Sequence, residues 1–525
     1  YYRVLEFVRR DLQCRTLDVV GHAELRQGPA HANDGYGARR VAITIQGYSH
    51  RGGVLGSMKG SAKTHARRDA SEVAGPIELL RERELQQIIE TVLRLAKNIG
   101  VEETEVHVDE AADALTRFAN NAIHQNVAEH GLTVSIRTVF EGRTARATTN
   151  RIDEDSLRSA IEGSLSLAAS QPKNPLLLPM PGAQKYSRVN RFVKQTAAIT
   201  PEDRALAVCR ACDLAIKHGQ IAAGIFSTGQ NQTAIGNSRG LFAAYRDTHA
   251  EFSITMQEKP AASWAKANSA DVRNFDPQKL AARASEKAHL AVEARELPAG
   301  RYTVILEPAA VLDLVGFLFY DFAATALQDK RSCLNERMGM QLFGKNISIW
   351  DDAYHPLQLG APFDGEGMPR QKVQLVDRGV PKNLVYSRSS AKIAGKKPTG
   401  HGFMLPNEYG EAPMNLVFSG GKSSLEEMMA STERGLLVTR LWYIREVDPY
   451  EKIMTGMTRD GLFLVEKGRV VSAVRNFRFN QSLLEMLRNV ELMGPAARAT
   501  GEEAFEMVVP AMKVREFHFS EVTKF

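Results

Sequence analysis

The chain has 525 residues, 43% of them hydrophobic and 24% charged, the balance of a soluble globular protein with two or three domains. Four cysteines (Cys14, Cys209, Cys212 and Cys333) are too few and too scattered for a disulfide framework, which excludes a disulfide-stapled scaffold and fits a reducing, cytoplasmic setting. The net charge of +6 suggests nucleic-acid binding, yet residues 1–69 hold twelve Lys or Arg against six Asp or Glu, and the remainder holds 55 of each. The body therefore carries no basic bias of the kind that phosphate binding needs.

Residues 1–75 form an atypical basic segment, rich in Gly, Ser, His and Arg, with no sustained apolar period and no signal-peptide pattern. It reads as a disordered tail whose working start lies near Met58, and residues 1–57 are expected to be dispensable for folding. From residue 76 the pattern becomes orderly. Leu85, Ile88, Ile89, Val92, Leu93 and Ala96 fall at helical spacing, and Gly100 stops the helix. "TEVHVDE" and "GLTVSIRTVFEGRTARATT" alternate as strands do, with a turn at Glu141-Gly142. A helix capped by Asp153 follows, and "SQPKNPLLLPMPG" is a linker. These elements make an N-terminal domain over residues 76–180.

A central domain, residues 190–297, opens with Thr200 as cap, Pro201 in the first turn and Asp203 closing a capping box. "TAIGNSRGLFAAYRDTHAEFSITM" predicts a hairpin with its tip at Asn237–Gly240, and a further helix starts at Asp276-Pro277. The C-terminal domain, residues 300–525, begins with the buried strand "GRYTVILEP" and continues into "VLDLVGFLFYDFAATALQDKRSCL". The uncharged apolar core of that run, Leu314–Tyr320, is far short of the ~20 residues a bilayer needs, so the run reads as a core or interface helix and not a membrane span. Short strand-like runs separated by Gly and Pro fill the rest. The whole is α+β, with α/β N-terminal and central parts and a β-rich C-terminal half.

Motif tests are mostly negative. Cys209 and Cys212 form CxxC, but no second pair completes a zinc site and they fall mid-helix, so they read as buried helix cysteines. The thirteen histidines give no HExxH, and Glu129-His130 and His249/Glu251 lack a second His one helical turn away. "FSGGKSS" (Phe418–Ser424) lacks the first glycine of a phosphate loop and reads as a turn before a capped helix. Two loops stand out. "DGEG" carries Asp364, Glu366 and Gly367, and "TGHG" carries Thr399, Gly400 and His401. Their glycines allow backbone to approach a ligand closely, and these six residues are the candidates for peptide binding.

From about Glu82 to the C-terminus the chain resembles the TldD/PmbA (TldE) family. The likeness rests on "FDGEG…VDRGV…SRSSAKIAGKKPTGHG", "SSLEEMMASTERGLLVTRL", "TGMTRDGLFLVEKGRV" and "LLEMLRNVELMGP". "TEVHVDEAADALTRFANNAIHQN…HGLTVSIRT" fits as well. In that family the TldD-type subunit carries HExxxH on a helix just after the strand that begins the C-terminal domain. Two His bind zinc, the Glu is general base on bound water, and a Cys near the C-terminus completes the site. Here Val315 to Tyr320 offer neither His nor Glu, and no cysteine follows Cys333.

The resemblance therefore implies a PmbA/TldE-type subunit with no catalytic or metal residues of its own, in a family of metallopeptidases. Zinc is expected in a TldD-type partner, with which the chain pairs, or it pairs with itself, to act on peptides or unfolded segments without nucleic acid or membrane. The alternatives are a stand-alone peptide-binding homodimer and a gyrase- or DNA-associated regulator, which the neutral body argues against.

Overall fold

The computed structural model describes residues 77–101 and 103–523, so the readings made for residues 1–75 lie outside it. Helix α1 (Glu82–Asn98) begins where Glu84 bonds back to the Arg81 amide, and it buries Leu85, Ile88, Ile89, Val92, Leu95 and Ala96. Strands β1 (Glu103–Ala119), β2 (Ala122–Phe140) and β3 (Arg143–Thr149) follow, then α2 (Glu154–Ser170), capped by Asp153 as predicted. The same succession recurs. Helix α3 (Pro201–Lys217) carries the predicted Thr200–Asp203 box, and β4 (Ile221–Asn237), β5 (Phe242–Glu258) and β6 (Ala261–Ser269) lead to α4 (Pro277–Leu290), capped by Asp276.

The six strands form one antiparallel sheet in the order β3-β2-β1-β4-β5-β6. β1 and β4 meet at its centre with Ala112 opposite Gln230, the tenth residue of each strand. The sheet is thus two αβββα halves related by a pseudo-two-fold axis through that pair. One face packs on the helices. Val106, Val108, Val134 and Ile136 meet α1 and α2, whereas Phe118, Phe226, Phe252, Ile254 and Met256 meet α3 and α4. The opposite face, through Ile235, Ala243 and Tyr245, receives Phe363 from the C-terminal region and Tyr186 and Val189 from the linker.

Strand β7 (Gly300–Leu306) leads into α5 (Pro308–Val315). A single core helix was expected across this run. The structure instead ends α5 at Val315 and tightens the chain into a 3₁₀ segment, Gly316–Phe322, before a short helix at Ala324–Gln328. Short strands β8 (Ile349–Asp351), β9 (Val373–Asp377), β10 (Val380–Pro381) and β11 (Leu416–Phe418) form a second sheet. The capped helix expected after "FSGGKSS" runs from Leu425 to Ala430 with Ser424 as its cap, and strand β12 (Arg434–Asp448) follows.

β13 (Ile453–Glu466), β14 (Arg469–Ala473), β15 (Phe477–Ser482), β16 (Val490–Met493) and β19 (Met512–Val522) complete a third sheet with β7 and β12. β17 (Ala497–Ala499) and β18 (Met507–Val509) extend the second. In the third sheet β12 also pairs with β13, which closes the order β12-β7-β19-β15-β13 on itself as a barrel does. Phe477, Phe479, Phe517 and Phe519 stack inside it, with ring centroids 4.9–5.6 Å apart. The described residues form one compact unit, and among them no helix is long and apolar enough to cross a membrane. Cys212 is buried in α3 as expected, but Cys209 is exposed, because it falls beside the stripe of Val208, Ala211, Cys212 and Ala215 that the helix buries.

Candidate functional site

β7 runs parallel to β12, and the Glu307 amide donates to Val438 O at 3.1 Å. The Glu307 carboxylate is buried and bound by Lys287 Nζ and Arg283 Nη2, each at 2.5 Å, so the central helix α4 is tied to the start of α5. Burial pulls the Lys287 ammonium below its ordinary value, and Glu307 opposes that shift. From there Ala310, Val311, Leu312, Leu314, Val315, Leu318 and Phe319 are all buried. A segment without regular structure, Gly501–Glu506, lies against them. A Cβ on Gly316 would come within 2.3 Å of the Ala504 Cβ, and Phe319 meets Phe505 edge to face at 5.3 Å.

Just beyond, Asp321 accepts the Cys333 amide at 2.7 Å and pairs with Lys452 at 2.7 Å, and Lys452 also reaches Glu446 at 2.6 Å. Burial works against the Lys452 charge, but the two carboxylates outweigh it and raise the ammonium above its usual range. Burial drives the Cys333 thiol far up, so it stays protonated and a poor nucleophile where it sits.

Zinc takes nitrogen, sulfur or carboxylate ligands. The side chains at Val315 to Tyr320 are apolar apart from the Tyr320 hydroxyl, which donates to Tyr409 O at 3.1 Å. Among the described residues no three His, Cys, Asp or Glu side chains are grouped so as to hold a metal. The residues present at this place do not fit a zinc site.

The structure brings the two glycine-rich loops together. Asp364 Oδ1 accepts the amides of Glu366 (2.9 Å) and Met368 (2.8 Å), and its Oδ2 accepts that of Gly402 (2.7 Å). Gly365 N donates to Gly402 O at 2.9 Å. His401 bonds Asp351 Oδ1 through Nε2 at 2.8 Å and Thr399 Oγ1 through Nδ1 at 2.9 Å, while Asp351 Oδ2 accepts the Asn415 amide. Glu366 accepts the Arg388 amide at 3.0 Å. Asp364, Glu366, Gly367, Gly400 and His401 are buried and Thr399 is half-buried. Gly367 and Gly400 sit at φ +74° and +72°, a region that favours glycine, and a Cβ on Gly400 would lie 2.1 Å from Pro369 O.

Charge is strained here. Burial, and then the Asp364 carboxylate beside it, push Glu366 up to about 8. Burial also raises Asp364. Asp351 moves the other way: burial opposes its charge, but His401 outweighs burial and lowers it. The loops are also anchored to the long sheet. Tyr186 donates to Gly367 O at 2.7 Å, and Arg146 joins Leu405 O (2.7 Å) to Glu105 (2.6 Å). Glu105 forms a two-toothed pair with Arg137 (3.1 and 2.8 Å), and these cations overcome burial to hold it well below the carboxylate range.

Sequence reasoning found both loops but missed Asp351, Arg388, Asn415 and Glu105, which hold them. On another face of β8 and β11 a hollow of about 250 Å³ is lined by Trp350, Asp352, His355, Lys372, Val417 and Phe418.

A repeated αβββα sheet joined to a β-rich domain with a closed strand order defines the class of protein. Family models for PmbA/TldA metallopeptidases match in three consecutive blocks: domain 1 over residues 108–168, the central domain over 197–292 and the C-terminal domain over 299–521. The chain belongs to the PmbA/TldD metallopeptidase family. An uncharacterized protein of Methanocaldococcus jannaschii is 26% identical over 302 residues, 56% of this chain and 69% of its own length. A metalloprotease of Methanothermobacter thermautotrophicus is 24% identical over 42% of this chain, a stretch that covers only 48% of that relative. The crystal structure of TldE from Thermococcus kodakarensis superposes with a TM-score of 0.75 over 82% of this chain and 100% of that one, at 21% identity, and so shares the fold.

Proposed function

We propose that this chain is the non-catalytic, PmbA/TldE-type subunit of a family metallopeptidase. It pairs with a zinc-bearing TldD-type subunit in the proteolysis of peptides or unfolded segments. The observation that carries this reading is the run after β7: at the place where the family's metal helix belongs, buried apolar residues pack against Ala504 and Phe505. Apolar side chains cannot coordinate zinc or hold a proton for water. Within this reading the loops at Asp364–Gly367 and Thr399–Gly402 are the frame of the peptide path and not its surface, because their polar atoms are engaged with one another.

The test is metal analysis and peptide hydrolysis by the purified chain, alone and mixed with a family subunit that carries HExxxH. The expected result is no stoichiometric zinc and no cleavage alone, and faster cleavage by the mixture than by the HExxxH subunit by itself. About one tightly held zinc per chain, or cleavage by the chain alone, overturns the reading. Failure of the two subunits to associate favours a stand-alone peptide-binding homodimer.

A further inference from the structure

Asp313 is a carboxylate with no exposure, on the otherwise apolar helix α5. Its Oδ1 accepts two successive amides of the irregular segment, Glu502 N at 3.2 Å and Glu503 N at 3.1 Å. Its Oδ2 is buried without a hydrogen-bond partner. Gly501 makes this approach possible, because a Cβ there would stand 2.0 Å from Asp313 Oδ1. The segment is otherwise held at its edges by exchangeable polar contacts. Lys266 donates to Gly501 O at 3.2 Å, Asn268 to Glu506 at 3.0 Å, and the Tyr443 amide to Glu503 Oε1 at 2.6 Å. Beneath it lie Gly316 and Phe319.

We propose that Gly501–Glu506 is a proton-operated latch over the α5 end, with the Asp313 carboxyl as its trigger. The neutral acid can hold the two amides through Oδ1 while its hydroxyl sits at Oδ2 without a buried, unpaired negative charge. Ionisation places that charge in an apolar site. The groups that face it decide the balance. Glu503, on the latch itself, opposes ionisation and is partly engaged by Arg445 at 3.8 Å. Arg440, on β12, favours ionisation, but it is committed to Asp460, and Glu502 is shared between Lys266 (3.7 Å) and Arg440 (4.0 Å). Burial dominates and lifts Asp313 to about 7. The closed latch therefore binds a proton that the open one, with a solvated carboxyl near its ordinary value of 3.8, does not. Closure is strongest at acid pH and weakens as pH rises to 7, after which it changes no further. Opening uncovers Phe319 and Phe505. The proposal stands on this loop's geometry and holds whether or not the chain pairs with a zinc subunit.

Hydrogen–deuterium exchange on the full chain tests it. Peptides covering residues 499–507 are followed from pH 5.5 to 8.5, with rates corrected for intrinsic exchange. The expected result is protection that falls by about tenfold or more across that range, one pH unit of linkage corresponding to one decade. Asp313→Asn, which keeps an acceptor for both amides, should hold protection constant with pH. Glu503→Gln should shift the wild-type profile to lower pH. A flat wild-type profile, or the same pH dependence in Asp313→Asn, overturns the proposal. Should Asp313→Asn fail to fold, an unshifted profile in Glu503→Gln overturns it equally.

Discussion

Glu366 is an acid that its surroundings keep protonated. Its folded value of about 8 stands above the ordinary value of 4.5, so the folded chain holds a proton there that the unfolded chain releases. The sign follows: stability from this group is greatest below pH 4.5 and falls as pH rises through the window up to about 8. Glu366→Gln presents the same acceptor to Arg388 N without the charge, and its melting temperature should fall less than wild type between pH 5 and 8; parallel curves would remove Glu366 from the pH response. Asp364 is different in kind, because three amides depend on it. Asp364→Ala leaves them buried and unpaired, at about 1–3 kcal/mol for each lost partner, and should lower the denaturation midpoint sharply. The acidic turn and the Thr-Gly-His-Gly loop were legible because glycine beside Asp, Glu or His is a local signal. Their partners were not: Asp351 and Asn415 reach His401 and the loops only once the short strands β8 and β11 are paired. Asp313 was visible as an acid inside an apolar run, but nothing near it in sequence announces that Glu502 and Glu503 close on it.

The elements themselves were legible wherever a cap or a clean alternation marked them. Asp153, Thr200 with Asp203, and Asp276 each cap the helix expected of them. The lengths of the strands were not legible. β1, β2, β4 and β5 run 17–19 residues, roughly 55–65 Å at strand rise, yet "AADALTRFANN" shows no apolar alternation. The reason is that the far half of β1 is covered in part by polar contacts, beside the apolar packing of Phe118. Arg204, the fourth residue of α3, is buried and donates to Thr116 (3.2 Å) on β1, Thr228 (3.2 Å) on β4 and Asn126 (3.4 Å) on β2. The fourth residue of α1, in the matching half, is Leu85, buried by apolar packing alone. Arg204→Leu therefore copies the other half's solution onto a sheet built for hydrogen bonds. It should cost about 2–3 kcal/mol by leaving Thr116 and Thr228 without this donor, measured by chemical denaturation. A neutral result would show that α3 is held by its apolar contacts only.

At the scale of the molecule, β-richness at the C-terminal end and α/β character before it follow from composition and turn spacing, but the repeat does not. Two αβββα halves meet at Ala112 and Gln230 without a shared motif, because the fold needs only the same pattern of buried faces in each half. The long sheet then depends on the C-terminal loops for cover, and ion pairs reinforce the apolar contacts at the joint. Glu105 on β1 holds Arg137 on β2 and Arg146 on β3, and Arg146 reaches on to Leu405 O. Glu105 and Arg137 are both buried to within 1% exposure. Neutralising one partner of such a pair leaves the other's charge buried and uncompensated, at a cost of about 3–5 kcal/mol. Glu105→Gln should therefore lower the melting temperature. Because Arg146 is the link from that pair to the C-terminal loops, it should also separate calorimetric unfolding of the long sheet from that of the β-rich domain, which in wild type are expected to melt together. A single transition in the variant, at the wild-type temperature, would show that the apolar contacts of Phe363, Tyr186 and Tyr245 hold the joint without the ion pairs.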